Sequence, residues 1–298
     1  MTNPSQVAAV TGAGGYLGSR ICQTLESRGW RVIKLTGSLA QVPGQVIWYE
    51  LAAPVTAEVS EGLRSANVLI HAAYNLNITL ASDIWRVNVD GTRRLLEAAK
   101  AAGTARVIVL SSMSAFDGTS QLYGRAKLNI EAITAEFGGC AVRPGLVYGK
   151  QAGGMAGSLR KLTALPIVPV ISGGSGVYTA AEGDLMEAIA RLASATTLES
   201  GTISLAHPDK VTLVEILKTF AAQEDRRCRF FPVYWKLVYW GLRVGEAMRL
   251  PLPFRSDSLL GLIYISPALL GQDRLARLGI ILHAFRPEPK ASPHPPSA

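Results

Sequence analysis

The chain has 298 residues, 48% of them hydrophobic and 17% charged, and a formal net charge of +8. That length and apolar content give room for two domains, or one large α/β unit, around a sizeable core. Three scattered cysteines (Cys22, Cys140, Cys228) and four scattered histidines have no spacing of a disulfide framework or a metal site, so no metal is expected.

In chain order, VAAV at 7–10 is a short apolar run ended by glycines and predicts a buried strand. A helix follows, with Leu17, Ile21 and Leu25 on one stripe and Gly29 as its stop. RVIKL at 31–35 and QVIWYEL at 45–51 predict the second and third strands, and 58–65 a short helix. NVLIHAA at 67–73 predicts the fourth strand, 83–103 a long helix, and RVIVLSS at 106–112 the fifth strand. A helix at 123–138 and a strand at 140–145 complete the run. Continuous apolar strands alternating with helices predict an α/β fold, a doubly wound parallel sheet with helices on both faces. Ligands then bind at the carboxyl edge of the strands.

After about Val147 the pattern breaks into Gly- and Pro-rich segments. A helix at 182–193 and a strand at 201–206 are expected to rejoin the first sheet, and 212–222 is a further helix. The expected domains are 1–147 plus 176–206 for the dinucleotide and 148–175 plus 207–286 for the substrate, the second smaller and mostly helical. The Pro-rich stretch 287–298 reads as a disordered tail.

The first strand runs into TGAGGYLG, with glycines at 12, 15 and 18. Gly12 permits the tight turn, Gly15 the approach of a pyrophosphate, and Gly18 close packing of helix on strand. The helix N-terminus offers free N–H groups to phosphates. An NAD site usually carries an acid at the end of the second strand. Here that position reads Thr36, Gly37, Ser38. Lys34 and the two hydroxyls tolerate a 2′-phosphate, which leans the choice between NADP and NAD towards NADP. Glu50 is either an acceptor for the adenine amino group or a surface charge.

YGRAK at 123–127 sets Tyr123 and Lys127 four residues apart, on one helix face. A neighbouring ammonium favours a phenolate, so Lys127 is expected to lower the tyrosine pKa. Ser112 is expected to end the fifth strand at the ligand edge and to hold a substrate oxygen. Y-x-x-x-K alone is common by chance. Its place after that strand, in a chain that opens with a dinucleotide loop, makes it a candidate proton device.

The segments TGAGGYLG, VLIHAA, VNVDGTRRLLEAA, VIVLSSMSAFDG, LYGRAKLNIEA, AVRPGLVYG and EGDLMEAI resemble, in order, the extended branch of the short-chain dehydrogenase/reductase superfamily, the NAD(P)-dependent epimerase/dehydratase group. The resemblance implies a Rossmann-type fold and a catalytic set of Ser112, Tyr123 and Lys127. It implies a cofactor set of Gly12, Gly15, Tyr16, Leu17, Gly18, Thr36, Ser38, Glu50, Leu51, Ala72, Ala73, Asn88, Lys127, Pro144 and Gly145, with Asn88 as a buttress and Arg143 to Gly145 beside the nicotinamide. Tyr74, Met113 and Ser114 are candidate substrate contacts. Met113 and Ser114 stand where sugar dehydratases of this group carry acids.

From Arg226 onward the chain has eleven Lys or Arg against four Asp or Glu. Such a region meets an anionic substrate, a nucleic acid or an acidic membrane surface, or is a solvated face. No nucleic-acid recognition motif accompanies it, so no nucleic-acid partner is expected. Arg243, Arg249 and Arg255 are candidates for clamping a diphosphate. A helix at 233–250 would set Lys236, Arg243 and Glu246 on a narrow polar stripe. Burial in the small domain is its first reading; the others are a wall for a greasy substrate, a subunit contact or a membrane-surface face.

No uninterrupted apolar run of spanning length occurs, and the turn at Gly12 leaves no room for a signal peptide, so a cytoplasmic protein with no integral span is expected. Peripheral membrane contact stays open, and the resemblance implies a homodimer. The first expectation for function is an NAD(P)-dependent oxidoreductase or epimerase acting on a nucleotide-activated sugar. A reductase or dehydrogenase of a sterol-like or other hydrophobic alcohol or ketone is the alternative. A cofactor-sensing regulatory protein is the reading from another class, and retention of both tyrosine and lysine counts against it.

Overall fold

A computed structural model describes residues 6–37, 43–149, 153–172, 176–248, 250 and 256–286. Ser38, Arg249, Arg255 and the tail at 287–298 lie outside the described residues. The chain opens with β1 (Val7–Thr11), α1 (Tyr16–Ser27), β2 (Arg31–Thr36), β3 (Val46–Trp48), α2 (Ala57–Arg64) and β4 (Val68–His71). Next come α3 (Ala81–Ile84), a π-helical turn (Trp85–Val89), α4 (Asp90–Ala102), β5 (Arg106–Leu110), α5 (Leu122–Glu136), β6 (Cys140–Pro144) and β7 (Leu146–Tyr148). Then follow α6 (Gly154–Leu162), β8 (Ile167–Ser172), β9 (Val177–Ala181), α7 (Glu182–Ser194), β10 (Gly201–Leu205) and β11 (Lys210–Val211). The described chain closes with α8 (Leu213–Gln223), β12 (Arg229–Tyr234), α9 (Trp235–Ala247), α10 (Ser256–Ile263) and α11 (Gln272–Arg277).

Seven strands form one parallel sheet in the order β10-β6-β5-β4-β1-β2-β3. The order reverses at β1 and β4, the switch point where such sheets take their ligands. Alternate side chains of each strand enter opposite cores. Ala8, Val10, Ile108 and Leu110 pack with residues of α1 and α7, whereas Val7, Ala9, Val107 and Val109 pack with α2, α4 and α5. Burial on both faces is why these strands read as unbroken apolar runs. β10 and α7 rejoin this sheet, as their sequence pattern predicts.

Beside helices α6, α8, α9, α10 and α11, the smaller region also contains strands. It adds a three-stranded sheet, β11-β9-β7, and the parallel pair β8 and β12. Its own core gathers around Phe220, Leu217 and Val168.

Four expectations change in detail. The third strand is only three residues long, so Glu50 and Leu51 lie beyond it. The long helix at 83–103 is interrupted by the π turn that carries buried Asn88. β5 ends at Leu110, which leaves Ser111 and Ser112 in the loop beyond the strand. The helix expected at 233–250 is α9, and it is not buried: Leu237, Trp240, Val244 and Met248 are 57–68% exposed. Only Leu242 and Gly245 of α9 are buried, because β12, β8 and α10 cover it from one side alone.

Two buried polar devices join the layers. Thr92 donates its hydroxyl proton to the Asn88 carbonyl at 2.7 Å. His71 Nε2 therefore donates to Thr92 Oγ1 (2.9 Å), and His71 Nδ1 accepts from Thr11 Oγ1 (2.6 Å). This chain ties β1 through β4 to α4, and burial pushes the His71 pKa down to about 3. Behind β5, Glu131 accepts two hydrogen bonds from Arg143 (2.8 and 2.7 Å) and one from Ser111, all three side chains being buried.

Each device yields an expected outcome. Below about pH 6.5 the unfolded chain takes up a proton at His71 that the folded chain refuses, so stability falls as pH falls. By pH 5 the loss is about 2 kcal/mol relative to pH 8. The urea midpoint of the His71→Asn variant therefore drops less between pH 8 and pH 5 than that of the parent, and equal drops would contradict the assignment. Glu131→Ala strands a buried guanidinium and costs about 3 kcal/mol or more in urea unfolding. A loss below about 1 kcal/mol would contradict the buried pair.

Candidate active site

The glycine loop turns at Gly12, whose φ of +66° belongs to the left-handed region. A side chain there would lie 2.8 Å from the Ala73 backbone nitrogen, and one at Gly18 would collide with the Gly12 carbonyl. Only glycine lets β1, β4 and α1 meet this closely. Gly15 caps α1, with no side-chain cap and no acid in the first turn. An open helix N-terminus beside close-packed backbone fits a dinucleotide pyrophosphate. Ala72 and Ala73 line the exit of β4, where the Ala73 N–H donates to Thr11 Oγ1 (3.3 Å). Asn88 is fully buried and holds the same exit loop by accepting from the Asn75 N–H at 2.7 Å.

The other expected cofactor residues have mixed fates. The Tyr16 hydroxyl donates to Glu182 and its ring packs on Gly153, so only its backbone faces the cradle. Leu17 packs on the core and Leu51 is buried. Thr36 is buried, and Glu50 is exposed with its carboxylate against Gly37, at the end of β2. Lys34, expected to tolerate a 2′-phosphate, is buried instead. It pairs with Glu26 at 2.6 Å and donates to the Pro43 carbonyl at 2.6 Å. Pro144 ends β6 and Gly145 follows it, with the Gly145 N–H bonded to the Leu205 carbonyl at 3.0 Å. The Arg143 side chain, by contrast, is committed to Glu131.

Ser112, Tyr123, Lys127 and Tyr74 come together at the end of β5. The Ser112 hydroxyl accepts the Ser114 N–H at 3.1 Å and stands close enough to the Tyr123 phenol to pull its pKa down. Tyr74 meets Tyr123 edge to face, 5.1 Å between ring centroids. The Lys127 ammonium donates to the Leu110 carbonyl at 2.6 Å, 4.6 Å from the Tyr74 ring centre and 6.0 Å from that of Tyr123. Burial lowers the Lys127 pKa to about 7, and Glu131 one turn on opposes that shift.

The expected lowering of the tyrosine pKa by Lys127 is not what this geometry gives. Burial pushes Tyr123 up to about 12; the Ser112 hydroxyl pulls it down and the Asp257 carboxylate pushes it up. The ammonium is turned to Leu110, and desolvation of the phenol prevails.

Met113 and Ser114 are buried behind Ser112. Met113 packs with Tyr178, Ala206, Ile265 and Leu269, an apolar wall. Arg243 is exposed on α9. Three contributors escaped the sequence reading. Asp257 accepts the Tyr123 N–H at 3.3 Å, at the open end of α5. Gln121 donates to the Leu260 and Tyr264 carbonyls (3.1 and 3.0 Å), fastening α10 over the site. Glu131 stands one helical turn beyond Lys127, a spacing that was readable. No spacing in the chain announces α10.

Comparison with known proteins fits this geometry. Residues 8–167 match the model of the NAD dependent epimerase/dehydratase family. The chain is similar to a ceramide reductase of Caulobacter vibrioides, 32% identical over 180 residues, which cover 57% of this chain and 56% of that protein. It is also similar to an uncharacterized protein of Mycobacterium tuberculosis, 26% identical over 70% of this chain and 22% of that one. The aligned segment is thus about half, or less, of the length of these relatives. Among solved structures, UDP-glucose 4-epimerase of Thermus thermophilus in complex with NAD superposes with a TM-score of 0.65 at 22% identity, over 93% of this chain and 94% of that one. With the family model matching more than half its length and the glycine loop in place, the chain belongs to the NAD dependent epimerase/dehydratase family.

Proposed function

We propose that the chain is an NAD-dependent reductase of a hydrophobic ketone, running the reverse dehydrogenation when the product is in excess. The observation that carries the reading is the buried Tyr123 phenol, held protonated by desolvation near Ser112, with Met113 and Ser114 rather than acids following Ser112. A phenol whose pKa is about 12 stays protonated at neutral pH and suits donation to a carbonyl oxygen. Ser112 holds that oxygen. Lys127, buried one turn after Tyr123, would hold the cofactor ribose. The nicotinamide, when bound, supplies the hydride.

The similarity to a ceramide reductase supports a lipid-like substrate. The nucleotide-sugar expectation had the basic C-terminal region meeting a diphosphate; of its three candidate arginines only Arg243 is among the described residues, and it is exposed on α9. NAD is favoured over NADP because Lys34 is already paired, while the Glu50 carboxylate at the end of β2 would repel a 2′-phosphate.

With NADH and a panel of long-chain ketones, the parent protein oxidises NADH, and Tyr123→Phe slows single-turnover oxidation by about 100-fold or more while NADH still binds. A wild-type rate in Tyr123→Phe would remove the proposed role. Epimerisation of UDP-sugars with no ketone reduction would restore the nucleotide-sugar reading. In equilibrium titrations NADH binds about tenfold more tightly than NADPH, a gap that Glu50→Gln narrows. Tighter NADPH binding would return the cofactor to NADP.

A further inference from the structure

Helix α9 exposes Leu237, Trp240 and Val244, and Met248 at its C-cap continues the same stripe. Phe231 and Tyr234 of β12, just before it, are exposed as well. Lys236 and Arg243, also exposed and two turns apart, border the stripe on one flank. The Lys236 ammonium lies 5.9 Å from the Tyr234 ring centre and 5.8 Å from that of Trp235.

Charge decides between possible occupants of this face. From 226 to 250 the sequence has six Lys or Arg and a single acid, Glu246. That acid faces away from the stripe, since its carboxylate accepts from the Ser256 N–H (2.7 Å) and hydroxyl (2.8 Å) at the start of α10. The rim is therefore cationic. A second copy docking face to face would set like charges together. An anionic bilayer complements both parts: apolar and aromatic side chains enter the headgroup boundary, and lysine and arginine meet lipid phosphates.

We propose that the α9–β12 face docks on the surface of an anionic lipid bilayer. The helix lies in the interface plane, since no helix of the described residues is long and apolar enough to cross. The position of this face bears on the active site. Trp235 packs edge-on against Tyr264 at 5.9 Å, the Tyr264 carbonyl receives Gln121, and Gln121 stands two residues before Tyr123. Docking thus holds the α10 side of the active site close to the lipid surface, where a hydrophobic ketone resides. This last step rests on the proposed function; the docking itself does not.

The test is co-sedimentation of the full chain with phosphatidylcholine vesicles, with and without phosphatidylglycerol. The parent protein sediments about tenfold more with the anionic vesicles, and high salt weakens that binding. Trp240→Glu and Leu237→Glu each remain in the supernatant while still binding NADH, which shows that they are folded. Parent protein that binds NADH yet stays in the supernatant would overturn the proposal. So would sedimentation unchanged by either substitution, or a dimer by light scattering that Trp240→Glu converts to a monomer. Ketone reduction without vesicle binding removes only the docking; vesicle binding without reduction removes only the reductase reading.

Discussion

The Lys127 ammonium donates to the Leu110 carbonyl and lies over the Tyr74 ring, and through these contacts α5, β5 and the loop after β4 meet at one atom. A charge buried there is costly, which is why the Lys127 pKa falls to about 7. The surrounding structure makes the position tenable. Glu131 on the same helix supplies a carboxylate that partly offsets the burial, and Arg143 and Ser111 hold that carboxylate in place. Two strands and one helix are thus bound into the chemistry of one side chain. On the other side, the neutral His71 relay fixes β1 against β4 and leads to the Asn88 carbonyl in the π turn. The cofactor cradle and the proton site are therefore parts of one buried polar framework.

That framework also sets the protonation state of the tyrosine. Burial, with the ammonium turned to a carbonyl, leaves Tyr123 as a protonated phenol. A carboxylate at the end of α5, from Asp257, reinforces this by disfavouring the phenolate. The smaller region reaches the catalytic candidates directly, because α10 meets both the Tyr123 N–H and the Gln121 amide.

Local patterns carried much of this into the sequence. The glycine loop was legible because strand, turn and helix are adjacent in the chain, and the parallel sheet because its strands are buried on both faces. Tyr123 and Lys127 were legible as an i, i+4 pair. Charge states were not, since burial and the direction of the ammonium come from packing. Lys34 was misread for the same reason: its partners Glu26 and Pro43 come from α1 and the segment before β3. Asp257 was missed because it lies 134 residues from the nitrogen it accepts from. The pattern of α9 marked a narrow polar stripe on an otherwise apolar helix, but a pattern says which face is apolar and not what covers it.

The most direct measurement of the central assignment is the solvent deuterium effect on single-turnover NADH oxidation by a long-chain ketone. If Tyr123 gives its proton to the carbonyl oxygen as the hydride arrives, the parent protein slows in D2O and the residual rate of Tyr123→Phe does not. A rate in the parent protein that is the same in H2O and D2O, with hydride transfer itself observed as the slow step, would contradict it.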